Sequence, residues 1–166
     1  MDTLNDIASS FSAFAKMPEP IIQRFDLVSL LRRIVNLHSQ SGTVHFRSAQ
    51  KEMPALGDEQ LLGRIFSNMI INAFQAARPG VPLVVDIMCE KANDKCRVSI
   101  RDNGKGISEA LAERVFVPHF TTKKSGSGLG LAISRQGIEH MGGHIWFESR
   151  QGEGTTFFIE LPPAGL

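Results

Sequence analysis

The sequence predicts an α/β domain, a two-layer α/β sandwich in which helices cover one face of a mixed, mostly antiparallel sheet, with a short extra helix at the N-terminus. Three observations carry that prediction. Helical and β-type hydrophobic periods alternate along the chain, two pairs of β-rich runs are joined by short polar or glycine-rich turns, and the helical segments are apolar on one side. Interleaving sets helices beside strands, and hairpins among the interleaved elements make the sheet mixed.

From the N-terminus, Leu4, Ile7, Ala8, Phe11, Phe14 and Ala15 recur at helical spacing until Pro18 and Pro20 break the pattern. Asp26 then caps a helix running to about His38, whose buried face uses Leu30, Leu31, Ile34, Val35 and Leu37. Residues 43–47 alternate as a strand. Asp58 caps the longest helix, which carries Leu61, Leu62, Ile65, Met69, Ala73 and Ala76 along one face and stops at Pro79 and Gly80. Residues 83–89 and 96–101 form an antiparallel hairpin around a polar loop. A short helix starts at Ser108, and the small, polar residues 123–128 suit a mobile lid. Residues 129–141 are helical up to Gly142 and Gly143. Residues 144–149 and 155–161 close the chain as a second strand pair around Gly152 and Gly154.

The 166 residues, 42% of them hydrophobic, suit one compact domain with an appendage. Eighteen basic and seventeen acidic side chains leave a net charge of +1, so nothing in the charge balance calls for nucleic acid or an anionic membrane as a partner. Cys89 and Cys96 flank a polar run in which a hairpin can bring them close, but two cysteines at this spacing indicate neither a disulfide framework nor a zinc site. They read as reduced thiols in a cytoplasmic protein. No apolar run approaches the roughly 20 residues that cross a bilayer, so this piece reads as soluble, whether free or as the cytosolic part of a membrane-anchored sensor.

Four separated patches carry the chemistry. Asn68 and Asn72 lie one turn apart on an otherwise apolar helix, so both amides project from one side and need partners. An amide oxygen suits Mg²⁺ held between phosphates. Asp102 opens a glycine-rich turn directly after a strand, where its carboxylate can accept from an exocyclic amine while Gly104 and Gly106 let the backbone approach a flat base. Taken alone, that sequence is an ordinary Asp-Asn-Gly turn. Gly126, Gly128 and Gly130 precede a helix whose N-terminus can face a polyphosphate, and Lys123 and Lys124 add positive charge beside it. Thr155, just after Gly154, can support Asp102 across the site.

In order and context these patches resemble the catalytic, ATP-binding domain of sensor histidine kinases, the Bergerat fold shared with DNA gyrase, Hsp90 and MutL. The resemblance covers about residues 25–161. It implies that Asn72 binds Mg²⁺, that Asn68 assists near the phosphates, with Ala73 beside them, and that Asp102, Gly104, Gly106 and Ile107 form the base-binding turn backed by Thr155. It also implies that Phe116 and Phe120 anchor a lid whose Thr121, Thr122 and Lys123 close over the nucleotide. Gly126, Gly128, Leu129, Gly130 and Leu131 would cradle its phosphates, and Asn68 and Lys123 would carry the catalytic contribution.

Three departures sharpen the reading. The family often has a lysine three residues after the magnesium-binding Asn; here it is Gln75, which shifts charge compensation onto Lys123 or Lys124. His119 stands where an aromatic or small residue is commoner, and it reads as structural or solvated rather than catalytic. The gyrase, Hsp90 and MutL branch generally has a water-activating glutamate where this chain has Asn68. An amide cannot deprotonate water, so hydrolysis should be slow and the γ-phosphate kept for a protein acceptor.

None of His38, His45, His119, His140 or His144 precedes an acidic residue, as the family's phosphorylated histidine does. The Phe11–Pro18 stretch instead resembles the end of a second dimerisation helix, especially in kinases of the nitrogen-regulation type. The expectation is therefore a remnant of that helix with its linker in residues 1–20 and the catalytic domain in residues 21–166. The implied partners are ATP and ADP, a dimerisation domain carrying the acceptor histidine, and a response-regulator receiver domain. Two alternatives are a protein serine kinase of the anti-sigma-factor type, against which the N-terminal helix argues, and a non-catalytic nucleotide-binding interaction module.

Overall fold

The computed structural model describes residues 19–117 and 130–165. The expected N-terminal helix and the expected lid, residues 123–128, lie outside them. The described elements are β1 (Gln23–Asp26), α1 (Leu27–His38), β2 (Thr43–Ser48), β3 (Pro54–Gly57), α2 (Glu59–Gln75), β4 (Val84–Ala92), β5 (Lys95–Asp102), α3 (Glu109–Ala112), α4 (Gly130–His140), β6 (His144–Arg150) and β7 (Gly154–Leu161). Five strands form one sheet in the order β2-β4-β5-β7-β6. Its β2–β4 pair is parallel and its other pairs are antiparallel, the mixed sheet the sequence predicts.

The apolar core lies between one face of this sheet and the helices. Leu27, Leu31, Leu62, Phe66 and Ile70 meet Val85, Ile87, Val98, Ile159 and Leu161 there, all buried. The alternate residues of the strands form the other face, where Trp146 stacks on Phe158 at 5.2 Å and Arg97 bridges Trp146 and Glu160.

Both predicted caps are present. Asp26 accepts from Val28 N and, at 2.8 Å, from Met53 N, so one carboxylate starts α1 and ties it to the segment entering β3. Asp58 accepts from Leu61 N at 3.1 Å and starts α2. Each satisfies a backbone N–H that the first turn of a helix leaves without an intrahelical acceptor.

The structure departs from expectation in four places. Strands β1 and β3 pair as a separate two-stranded sheet, from Gln23 opposite Gly57 to Asp26 opposite Pro54. Four-residue strands, one of them opening on Pro54, carry too short an alternation to read from sequence. Helix α2 ends at Gln75, before the prolyl stop, because the Ala76 carbonyl accepts from Lys105 N at 2.7 Å rather than continuing the helical ladder. Leu37 is exposed, since it falls on the solvent side of the last turn of α1. The 83–101 hairpin turns at Asn93 and Asp94 alone, both at positive φ, which these two residue types tolerate, and its strands reach further than the polarity of residues 90–95 suggests.

Cys89 and Cys96 are free and fully buried. Cys89 pairs with Val98 and Cys96 with Lys91, so the two thiols sit on one face in diagonal register. The Cys89 thiol donates to Met53 Sδ at 3.5 Å. Burial, and secondarily the neighbouring Cys96, pushes its pKa up to about 12.

Candidate functional site

Asp102 ends β5 and is almost wholly buried, in register with Val85 of β4 on one side and Thr155 of β7 on the other. Its Oδ1 accepts from Gly104 N at 2.9 Å and from Thr155 N at 3.3 Å, which fixes the carboxylate plane. The next residue does a different task. Asn103 accepts from Val84 N through Oδ1 and donates to Pro82 O through Nδ2, fastening the turn to the start of β4.

The glycines of this turn are needed by the protein's own packing. A β-carbon on Gly104 would stand 2.3 Å from the Ala76 carbonyl oxygen, and one on Gly106, at φ +73°, would stand 2.0 Å from that of Arg150. The sequence reading gave both glycines to the approach of a base. Here their missing side chains let the turn lie between the end of α2 and the β6–β7 turn. Lys105 O accepts from Gly152 N along the same seam. Arg78, which the sequence reading passed over, closes the cluster by donating to Asn103 O at 3.0 Å and to Gly152 O at 2.6 Å.

Ser149 was also missed. Its hydroxyl meets Ile107 N at 2.7 Å, Gly154 O at 3.0 Å and Thr155 Oγ1 at 2.8 Å, joining the base-side turn to β7. The signal lay in the hairpin: Ser149 and Thr155 are equally spaced from Gly152 and pair directly, so both hydroxyls occupy one face.

On α2, Asn68 and Asn72 are half-buried rather than enclosed, and Ile71 beside them is exposed, so the helix is less deeply buried around its amides than its apolar run suggests. Ala73 faces the core instead and is buried with Met69 and Ile70. The Asn68 amide lies against Gly130, the first residue of α4, where a β-carbon would stand 2.6 Å from Nδ2. The buried Ser134 donates to Gly130 O at 2.8 Å and holds that first turn, while Leu131 is half-buried.

Phe116, expected to anchor the start of the lid, packs on Phe147 and Phe157 at 5.9 and 6.4 Å, with the Arg135 guanidinium over its ring at 5.4 Å. Phe120, Thr121, Thr122, Lys123, Lys124, Gly126, Gly128 and Leu129, like His119, lie outside the described residues. The arrangement therefore presents an oriented, buried carboxylate with a threonine hydroxyl beside it, and two amides of α2, Asn68 against the N-terminus of α4 and Asn72 one turn further along the helix. The first pair suits a hydrogen-bonding base edge, and the second suits phosphates and a hard cation.

Comparison with known proteins agrees with this geometry. The model of the histidine kinase-, DNA gyrase B- and HSP90-like ATPase family matches residues 57–165. Sensor histidine kinase ZraS of Escherichia coli (strain K12) is 32% identical over 166 residues, which cover 97% of this chain and 35% of that protein. The chain thus spans about a third of the length of that curated relative. The solved catalytic domain of histidine kinase ThkA superposes with a TM-score of 0.76 at 31% identity, covering 86% of this chain and 95% of that one. ThkA in complex with response regulator TrrA gives a TM-score of 0.79 at 28% identity, covering 97% of this chain and 47% of that one. The chain belongs to the histidine kinase-, DNA gyrase B- and HSP90-like ATPase family and, within it, is a catalytic domain of the sensor histidine kinase type.

Proposed function

We propose that this domain binds Mg²⁺-ATP and supplies the γ-phosphoryl group to a histidine on a separate dimerisation domain, from which it passes to an aspartate of a response regulator. The observation that carries the reading is the Asp102 carboxylate, buried and oriented by Gly104 N and Thr155 N beside the helix that bears Asn68 and Asn72. Asp102 accepts from the adenine amine, with Thr155 in support. The Asn72 amide oxygen holds Mg²⁺, which when bound neutralises phosphate charge. Asn68 and the α4 N-terminus orient the phosphates, and Lys123 or Lys124 adds charge where Gln75 cannot. The new N–P bond forms on the acceptor imidazole as the γ-phosphorus parts from the β–γ bridging oxygen and ADP leaves.

Asn68 also explains why the phosphoryl group is conserved for a protein acceptor, since no carboxylate stands there to activate water. Residues 1–20 are read as the end of a dimerisation helix with its linker, residues 21–166 as the catalytic domain, and the location as cytoplasmic. Among the described residues no helix is long and apolar enough to cross a membrane. That histidine kinase ThkA was solved with a response regulator supports the partner assignment.

Calorimetric titration with ADP or a non-hydrolysable ATP analogue tests the pocket, with and without Mg²⁺. Wild type should bind with magnesium assistance, Asp102→Ala should abolish binding, and Asn72→Ala should bind without metal dependence. Phosphotransfer to an added dimerisation domain tests the reaction. Binding without transfer would favour a non-catalytic interaction module, and no binding by the folded chain would overturn the reading.

A further inference from the structure

We propose that Ser149 is a positioning residue for base selectivity: it fixes the direction of the Thr155 hydroxyl, so that the Thr155 oxygen meets the base edge only as an acceptor. The inference rests on Asp102 and Thr155 being the base-recognising pair.

The argument is a proton count. A serine hydroxyl has one hydrogen to give and two lone pairs. The Ser149 oxygen has three partners, of which Ile107 N can only donate and Gly154 O can only accept. Thr155 Oγ1, at 2.8 Å, can do either. Ile107 N occupies one lone pair and Gly154 O takes the hydrogen, which leaves a lone pair for Thr155. All three contacts are hydrogen bonds only if Thr155 donates. The reverse direction would set two oxygens, Ser149 Oγ and Gly154 O, 3.0 Å apart with no hydrogen between them, a cost in a part-buried place.

Strand register turns this into selectivity. Ser149 pairs with Thr155 across β6 and β7, and Thr155 pairs with Asp102 across β7 and β5, so the three side chains form one row on one face. An unconstrained threonine hydroxyl adapts to a donor or an acceptor by rotating. With its hydrogen committed to Ser149, it cannot. An ionised carboxylate is acceptor-only as well, so the row offers two acceptors side by side. That edge accepts the amine of a 6-aminopurine and opposes the carbonyl of a 6-oxopurine, which would face two oxygens without a hydrogen.

The test is calorimetric titration of ADP and of inosine diphosphate, whose base presents a carbonyl oxygen where adenine presents an amine. Wild type, Ser149→Ala, Thr155→Val and the double variant are compared. In Ser149→Ala the freed Thr155 hydroxyl can donate, so the preference for ADP should narrow by about tenfold, the factor carried by one hydrogen bond of ordinary net strength. Thr155→Val should narrow it similarly, and Ser149→Ala should add nothing in that background. Equal weakening of both ligands by Ser149→Ala would leave it a merely structural residue and overturn the proposal. An unchanged preference in Thr155→Val would overturn it too, even if Ser149→Ala failed to fold. Failure of wild type to bind ADP would instead sink the pocket assignment, so the two failures are separable.

Discussion

Asn68 of α2 and Gly130 of α4 are in direct contact, the amide nitrogen occupying the space where any larger residue than glycine would place its β-carbon. The contact joins the two helix segments that flank the proposed phosphates.

Gly130→Ala should therefore separate binding from stability. The atom in the way is the far end of a side chain, so the fold can absorb the methyl, and alanine is a better helix former than glycine by about 0.5–1 kcal/mol. The thermal midpoint should hold or rise while ADP affinity falls about three- to tenfold, the range set by a hydrogen bond of ordinary net strength. Paired melting and titration measurements check this; an unstable variant with unchanged affinity would contradict it.

Gly106 and Gly152 both have positive φ but differ in surroundings. No atom lies within 4 Å of a β-carbon on Gly152, whereas one on Gly106 meets the Arg150 carbonyl. Gly152→Ala should cost about 1–2 kcal/mol, the strain of the left-handed conformation alone. Gly106→Ala should cost more and weaken ADP binding, because the turn beginning at Asp102 must move. Urea midpoints of the two variants give the comparison.

Arg78→Ala removes two donors from carbonyls in two different turns. With part of the clamp open to solvent, a loss of about 1–2 kcal/mol is expected, together with weaker ADP binding as the Asp102 turn loosens. Arg78→Lys should recover only part of both, since an ammonium does not reproduce the guanidinium fork. Denaturation and titration of the three proteins check it.

The two thiols should resist alkylation in the native state at pH 8, because both are buried and burial raises both pKa values. The sign of the stability effect follows. Above the ordinary thiol value of 9.0 the unfolded chain releases the Cys89 proton while the folded chain keeps it until about 12. Stability contributed by Cys89 is therefore complete below pH 9 and is lost as pH rises towards 12. Cys89→Ala should flatten that alkaline limb in denaturation measured against pH.

What could be read from sequence was local. Caps such as Asp26 and Asp58 and the 3.6-residue stripe of α2 depend on neighbours a few positions away, and both hairpins were legible because their turns are short. Arg78 and Ser149 were not, because their partners lie on segments distant in sequence: Arg78 reaches Asn103 and Gly152, and Ser149 matters through Ile107 and Thr155. The glycines were recognised as necessary, but against a ligand, when their close neighbours are carbonyls of this chain. Ala73 was swept into the site by its motif, although its place on the helix turns it into the core.

The parallel pairing of β2 with β4 has a kinetic consequence. Parallel neighbours need a long connection, and here that connection contains α2. The β4–β5 and β6–β7 hairpins close over short turns, whereas β2 can dock only after a much larger loop has been drawn together. During folding, then, the β4–β5 hairpin that ends on Asp102 and the β6–β7 hairpin that carries Ser149 and Thr155 can each form locally, whereas joining β5 to β7 and docking β2 on β4 both wait for large loops to close. Substitutions in β2 should thus slow the docking of that edge strand while leaving both hairpins able to close.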